Sequence, residues 1–314
     1  MARTVCSKEG GIVMAKKNFS KIHESRGDRA LEIFTSVILV LVLIIIGYPL
    51  IYVVSCSFSS SDALKTAQVF LWPVDFTLNG YKFAMQYSDL WLGFRNTLMY
   101  TVLGVSLTMF LQILLAYPLS KNDYQGKSII LKMMLVAMMV NAGMIPNFLM
   151  KKELGLLNNV GAIVLAGTIS IHNTFMMRNA FKHSIPGDLF DAAKIDGAND
   201  FQALVKIAIP LAKATISVLV LYSAVGCWND YFNALVYLTA RRDLWPLQLF
   251  LRNILTAGEV INDAGSGVLS STDDGGLESL RYCLIVISTL PVLVMYMFVQ
   301  KFFEKGVMVG SVKG

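Results

Sequence analysis

Residues 31–57 read LEIFTSVILVLVLIIIGYPLIYVVSCS, with Glu32 as the single charge. The hydrocarbon core of a bilayer is about 30 Å thick and takes about 20 helical residues to cross. This run exceeds that length. Further apolar runs follow at 92–119, 129–150, 160–181, 212–238 and 281–303. Hydrophobic residues make up 55% of the chain, charged residues 15%, and the mean hydropathy is +0.58. Soluble domains carry about 25% charge. The pattern predicts an all-α integral membrane protein with six transmembrane helices.

The polar segments set the orientation. Residues 1–30 read as a basic tail and 305–314 as a short basic end, with 31–304 as the membrane domain between them. The start lacks a signal-peptide cleavage pattern. With the first residues in the cytoplasm, the inner segments hold eighteen Lys and Arg and the outer segments nine. That bias is the positive-inside signature. Six spans return the C-terminus to the same side. The loop at 182–211 then faces the cytoplasm and the long loop at 239–280 faces outward. The net charge of +6 is thereby accounted for by topology, with no nucleic-acid partner implied. Gly10-Gly11 can be encoded by a ribosome-binding-site-like stretch, so Met14 is an expected alternative start.

The third run is broken by Gly143 and Pro146, which membrane helices tolerate where neighbours satisfy the freed carbonyls. His172-Asn173 falls inside the fourth run and reads as a satisfied polar pair between helices. Cys6, Cys56, Cys227 and Cys283 show no paired spacing and read as packing residues. Gly265 to Gly267 lacks the strand, helix and Lys-Ser/Thr pair of a phosphate loop. No ATP or metal motif is found, so any energy source lies on another subunit.

Between the fourth and fifth runs stands PGDLFDAAKIDGANDFQALVKIAIPL, residues 186–211. It reads as two short helices meeting at a turn. Pro186 and Gly187 stop the preceding helix. Asp188 is placed to cap the first helix, with Asp191 three residues on. Gly197 permits a sharp change of direction and a close backbone approach. Asn199 or Asp200 can cap the second helix, and Pro210 breaks it.

Asp191-Ala192-Ala193, Gly197 six residues later, Ile207, and Ile209-Pro210 resemble the EAA loop of ABC-importer permeases. Asp191 stands where the family has Glu, and Ile209 where it has Leu. Asp196-Gly197-Ala198, Trp228-Asn229-Asp230 and the ending Lys305-Gly306…Gly310-Ser311-Val312-Lys313-Gly314 resemble the carbohydrate-uptake branch, of the maltose-importer type. The resemblance covers the chain from about residue 31 onward.

It implies the type I importer permease fold and a multi-pass subunit of a bacterial cytoplasmic membrane, surrounded by membrane lipid. It implies a second homologous permease, two ATPase subunits that bind ATP and Mg, and an extracytoplasmic sugar-binding protein or lipoprotein. No cofactor is expected on this chain. The substrate implied is a carbohydrate, an oligosaccharide in this reading, moved by alternating access. The loop becomes a coupling helix. Leu189, Phe190, Ala193 and Phe201 supply apolar contact, Asp191 and Asp196 charge, and Ala192, Gly197 and Ala198 complete the docking stretch. The outer loop at 239–280 is expected to reach the binding protein.

Asp230 lies in the fifth run, and a carboxylate there costs on the order of 2.5–3.5 kcal/mol on insertion scales. It reads as a cap at a helix break, as a residue at the outer interface, or as a wall of the sugar path, with Asn96, Trp228, Asn229 and Tyr231 as companions. A secondary transporter or channel would need coupling charges in several spans, and only Asp230 is so placed. A membrane-embedded enzyme would need a His, Asp or Ser cluster near one face, and none stands out.

Overall fold

The computed structural model describes residues 26–256 and 274–311, apart from 122, 141, 166 and 168. All regular structure among the described residues is helical. The described residues up to 50 and those from 51 onward form two units.

In the first unit, helix α1 (Arg26–Ser57) begins. Its side chains from Leu31 to Ile46 are nearly all exposed and apolar. A helix apolar on every side suits a lipid surround.

The second unit opens with the last turns of α1. The Ser55 hydroxyl donates to the Leu71 carbonyl at 2.6 Å, and Tyr52 meets Tyr282 edge-on, 6.2 Å between centroids. Two short helices follow, α2 (Ser61–Lys65) and α3 (Asn79–Gln86), then the long α4 (Ser88–Ser120). Next come α5 (Lys127–Met139), α6 (Met144–Glu153), α7 (Val160–Val164) and α8 (Ile171–Ser184). The polar loop holds α9 (Gly187–Ile195), α10 (Asp200–Ala203), a π-helical turn over Leu204–Ala208, and α11 (Ile209–Leu211). The chain ends with α12 (Lys213–Trp228), α13 (Phe232–Tyr237), a 3-10 turn at Arg242–Leu244, α14 (Leu247–Thr256) and α15 (Asp274–Ser311).

Helix α4 is the axis of this unit, packing on α7, α8, α12 and α14. Toward its C-terminal end Met109, Ala116 and Tyr117 join Met177 and Phe181 of α8, Leu204 and Ala208 of the π-turn, and Leu219 of α12 in one apolar core. At its other end α14 closes on Gly93, where a Cβ would stand 3.0 Å from the Leu247 Cα. Three polar side chains of α4 clasp the segment before α14. Asn96 Nδ2 donates to the Asp243 carbonyl at 2.8 Å and the Trp245 carbonyl at 3.1 Å. Tyr100 Oη donates to the Leu244 carbonyl at 2.7 Å, and the Leu247 N–H donates to Thr97 Oγ1 at 2.8 Å.

Among the described residues, three helices are long and apolar enough to cross a membrane: residues 27–57, Ser88–Ser120 and Glu278–Gln300. Two bent pairs bring the number to five if each is one crossing: Lys127–Met139 with Met144–Glu153, bent by 115°, and Asp200–Leu211 with Lys213–Trp228, bent by 81°. The run at 160–181 is not one helix. It breaks after α7, and Ser170 restarts the chain by accepting from the Asn173 N–H at 3.3 Å. His172 therefore sits exposed in the first turn of α8, not mid-span between helices.

The fifth run also breaks, after Trp228. The segment at 239–280 contains a helix: in α14, Leu247, Phe250, Leu251 and Ile254 bury one face at helical spacing. Its Gly-rich part, with Gly265 to Gly267, lies outside the described residues, as do Cys6 and Met14. Cys56 and Cys283 are buried and Cys227 is half-buried, all three as free thiols.

Candidate functional site

The polar loop forms a capped unit with one exposed face. Pro186 stands at the start of α9 and offers no side-chain acceptor, so the expected caps from Asp188 and Asp191 do not form. The helix begins one residue before Asp188, which leaves that carboxylate in the first turn. There it favours the helix dipole instead of capping. At the other end Gly197 has φ +76°. Its N–H donates to the Lys194 carbonyl at 3.1 Å, and the Ala198 N–H to the Ala193 carbonyl at 2.9 Å. This pair of bonds is a Schellman cap, which wants a glycine in the left-handed conformation. A Cβ on Gly197 would meet nothing within 4 Å, so within this chain φ alone requires the glycine, not a close approach.

Helix α10 starts with a complete capping box. Asn199 Oδ1 accepts from the Gln202 N–H at 2.8 Å, and Gln202 Oε1 accepts from the Asn199 N–H at 3.1 Å. Pro210 does not end the second helix. It lies within α11, and the 81° bend falls two residues later at Ala212.

The two faces of α9 differ. Ala193 is buried, and Phe190 leans on Tyr117 of α4, 6.2 Å between centroids. Phe190 thus anchors the loop to the helical core. The opposite face presents Leu189, Asp191, Ala192, Ile195 and Asp196 to the outside. Ile195 is 87% exposed, and Phe201 on α10 is 68% exposed. Ile195 was not singled out from the sequence, although its spacing of three residues from Ala192 puts the two side by side on the helix. Ala198 is half-buried and lines a cavity of about 330 Å³ under α9, together with Lys121, Phe190, Asp191, Ala193 and Asp200.

Lys121, just past α4, makes an ion pair with Asp200. The bond to the ammonium holds the Asp200 carboxyl below the usual carboxylate range. Burial works against the Lys121 charge, but the Asp200 bond and the neighbouring Tyr117 outweigh it and raise the ammonium's pKa.

A second cavity, of about 340 Å³, lies beside the break between α12 and α13. Asn229 and Asp230 line it with Thr108 of α4, Asn173 of α8, Ser223 and Asn233. Asp230 accepts from the Asn233 N–H at 3.1 Å and from Asn233 Nδ2 at 2.7 Å. The carboxylate therefore braces a helix break and faces the cavity as well. Three companions stand elsewhere. Asn96 is fully buried against the carbonyls that it serves. Trp228 is 2% exposed and donates its indole N–H to the Ser288 carbonyl at 3.0 Å. Tyr231 is partly exposed beside Arg252, 5.6 Å from the guanidinium carbon to the ring. Asn96 and Trp228 are packing residues here.

Lys151, counted among outer-loop charges from the sequence, is 7% exposed, with its ammonium 3.7 Å from the Tyr237 ring centroid. That aromatic partner lies 86 positions along the chain, beyond the reach of local pattern.

Residues 10–309 match the family described as binding-protein-dependent transport system inner membrane component. The chain is 32% identical over 293 residues to "Protein LplC" of Bacillus subtilis, covering 93% of this chain and 98% of that protein. It is 34% identical to the polygalacturonan/rhamnogalacturonan transport system permease protein YtcP of the same species, over 85% of this chain and 92% of the relative. A crystal structure of a bacterial ABC transporter involved in the import of the acidic polysaccharide alginate contains a chain 35% identical to this one. The two superpose with a TM-score of 0.82, over 89% of this chain and 99% of that one. The match over almost the whole length, in sequence and in fold, places this chain among the inner-membrane permease components of binding-protein-dependent transport systems.

Proposed function

We propose that the chain is the permease subunit of an ATP-driven importer that moves an oligosaccharide by alternating access, with the α9–α10 loop seated on an ATPase subunit. One observation carries this reading. A loop locked by a Schellman cap and a capping box holds Leu189, Ile195 and Phe201 exposed, while Phe190 and Ala193 tie it to the core. Short helices are marginal in water on their own. Such a unit gains most from a partner that covers its apolar side. The permease names and the alginate transporter among the similar proteins support a carbohydrate as cargo. The polar cavity of Thr108, Asn173, Asn229 and Asp230 suits hydroxyl-rich molecules.

In this reading the chain crosses the cytoplasmic membrane six times with both ends inside, and the broken runs count as single crossings. It works beside a second permease, two ATPase subunits that carry ATP and Mg, and an extracytoplasmic sugar-binding protein. The membrane segments 31–304 then form one working domain. Reconstitution of the assembly in proteoliposomes tests the reading. Binding protein loaded with the cargo should stimulate ATP hydrolysis and uptake together. Uptake that persists without the ATPase subunits would contradict it.

A further inference from the structure

The last turn of α4 is held from several sides. Arg178 Nε of α8 donates to the Leu119 carbonyl at 2.9 Å, and the Lys127 ammonium donates to the Lys121 carbonyl at 2.7 Å. These bonds occupy carbonyls that a helix end leaves without an intrahelical partner. The Lys121 side chain then reaches into the loop. Its ammonium lies 4.8 Å from the Tyr117 ring centroid and 5.8 Å from that of Phe190, and it bonds the Asp200 carboxylate. A single side chain therefore touches α4, α9 and α10.

The other attachment of α9, through Phe190 and Ala193, is apolar and has no preferred direction. The Lys121 contact is directional at the carboxylate and adds cation–π attraction at two rings. Along α4 the same helix reaches the polar cavity at Thr108. Thirteen residues separate Thr108 from Lys121, about 20 Å at 1.5 Å per residue. Lys121 thus joins the loop to the helix that walls the cavity.

We propose that Lys121 is a positioning residue for coupling: it fastens the α9–α10 loop to the end of α4, so that a movement imposed on the loop is passed to the cavity. This rests on the importer reading above. The side chain of Lys121 is 27% exposed and that of Asp200 81%, so the pair adds little to static stability. Its effect belongs in transmission.

The test uses the whole complex in proteoliposomes and compares Lys121→Met, Lys121→Arg, Asp200→Asn and the double variant Lys121→Met/Asp200→Asn. Lys121→Met keeps the stem against both rings and removes the charge. Transport per ATP hydrolysed should fall up to about five-fold, the range set by exposed ion pairs, while the ATPase subunits still co-purify. Lys121→Arg should restore most of the transport per ATP, because the charge and ring contacts return. The double variant should lose no more than Lys121→Met alone, since removing the ammonium already removes its bond to Asp200. Wild-type transport per ATP in Lys121→Met, or losses that multiply in the double variant, would overturn the proposal. If Lys121→Met fails to assemble, Asp200→Asn carries the same expectation on an exposed side chain. A wild-type complex without cargo-stimulated hydrolysis would instead overturn the importer reading itself.

Discussion

The carboxylate of Asp230 accepts two hydrogen bonds from one residue, Asn233: from its backbone N–H at 3.1 Å and from its side-chain Nδ2 at 2.7 Å. This clasp starts α13 just after α12 has stopped at Trp228. It lets the chain break inside an apolar run without leaving the carboxylate unpartnered, which would be costly.

Asp230→Ala should therefore destabilise the protein by about 1 kcal/mol, the scale of a lost cap, and lower its melting temperature. Asp230→Asn keeps an acceptor for the Asn233 N–H, removes the charge from the cavity, and puts an amide NH2 where Oδ2 accepts from Asn233 Nδ2, a contact regained when the Asn233 amide turns over. It should cost less stability than Asp230→Ala. An unchanged melting temperature for Asp230→Ala would contradict the bracing role.

The Lys121–Asp200 pair sets a pH dependence. The Asp200 pKa is depressed in the folded chain, so its stabilisation is present above the unfolded value of about 3.9 and is lost as pH falls through the lower folded value. The loop should show no change from this group between neutral pH and about pH 5. Lys121→Met should return the Asp200 midpoint to the ordinary carboxylate range. Carboxyl NMR of labelled protein measures it directly, and an unmoved midpoint would dissociate the two residues. The energy involved is small, because Asp200 is largely exposed.

Gly197 is required by its φ of +76° and by nothing that touches it. Gly197→Ala should cost about 1 kcal/mol in loop stability. Gly197→Asn should be the mildest change, since Asn also serves as a left-handed cap. Gly197→Trp should insert normally and transport nothing, because the indole projects from the exposed side of the loop where the ATPase subunit is proposed to sit. Hydrogen exchange of the α9 amides checks the first two, and uptake checks the third. Equal exchange for Gly197→Ala and wild type would remove the strain argument.

The Lys and Arg bias predicts an orientation that can be tested. Reporter fusions within 187–200 and within 264–274 should report opposite sides of the membrane. The same side at both sites would refute the six-crossing topology.

Much of the loop was legible because its determinants are local. Pro186, Gly197 and the Asn199 cap act within a few residues of themselves, and each does what its type and spacing imply. The Asp188 cap failed because the helix starts one residue earlier, a shift that composition does not resolve. The breaks at 165–170 and 229–231 were hidden by apolar flanks. What locates them is side-chain bonding at Ser170 and Asp230, not hydropathy. Helix α14 did show an apolar face, Leu247, Phe250, Leu251 and Ile254, but the Gly-rich stretch after it coloured the whole segment as loop. Asn96 read as a path residue because a buried amide in a span suggests function. Its partners, the carbonyls of Asp243 and Trp245, lie about 150 positions away, beyond any local pattern.

The central claim is that the exposed apolar side of the α9–α10 loop seats on an ATPase subunit. Ile195 and Phe201 make few contacts within this chain, so Ile195→Asp/Phe201→Asp leaves its folding intact and alters only that surface. The direct measurement is co-purification of the ATPase subunits with this double variant, read beside uptake in proteoliposomes. The account predicts normal amounts of the permease in the membrane, loss of the ATPase subunits and no uptake. Wild-type amounts of bound ATPase together with wild-type uptake would contradict it.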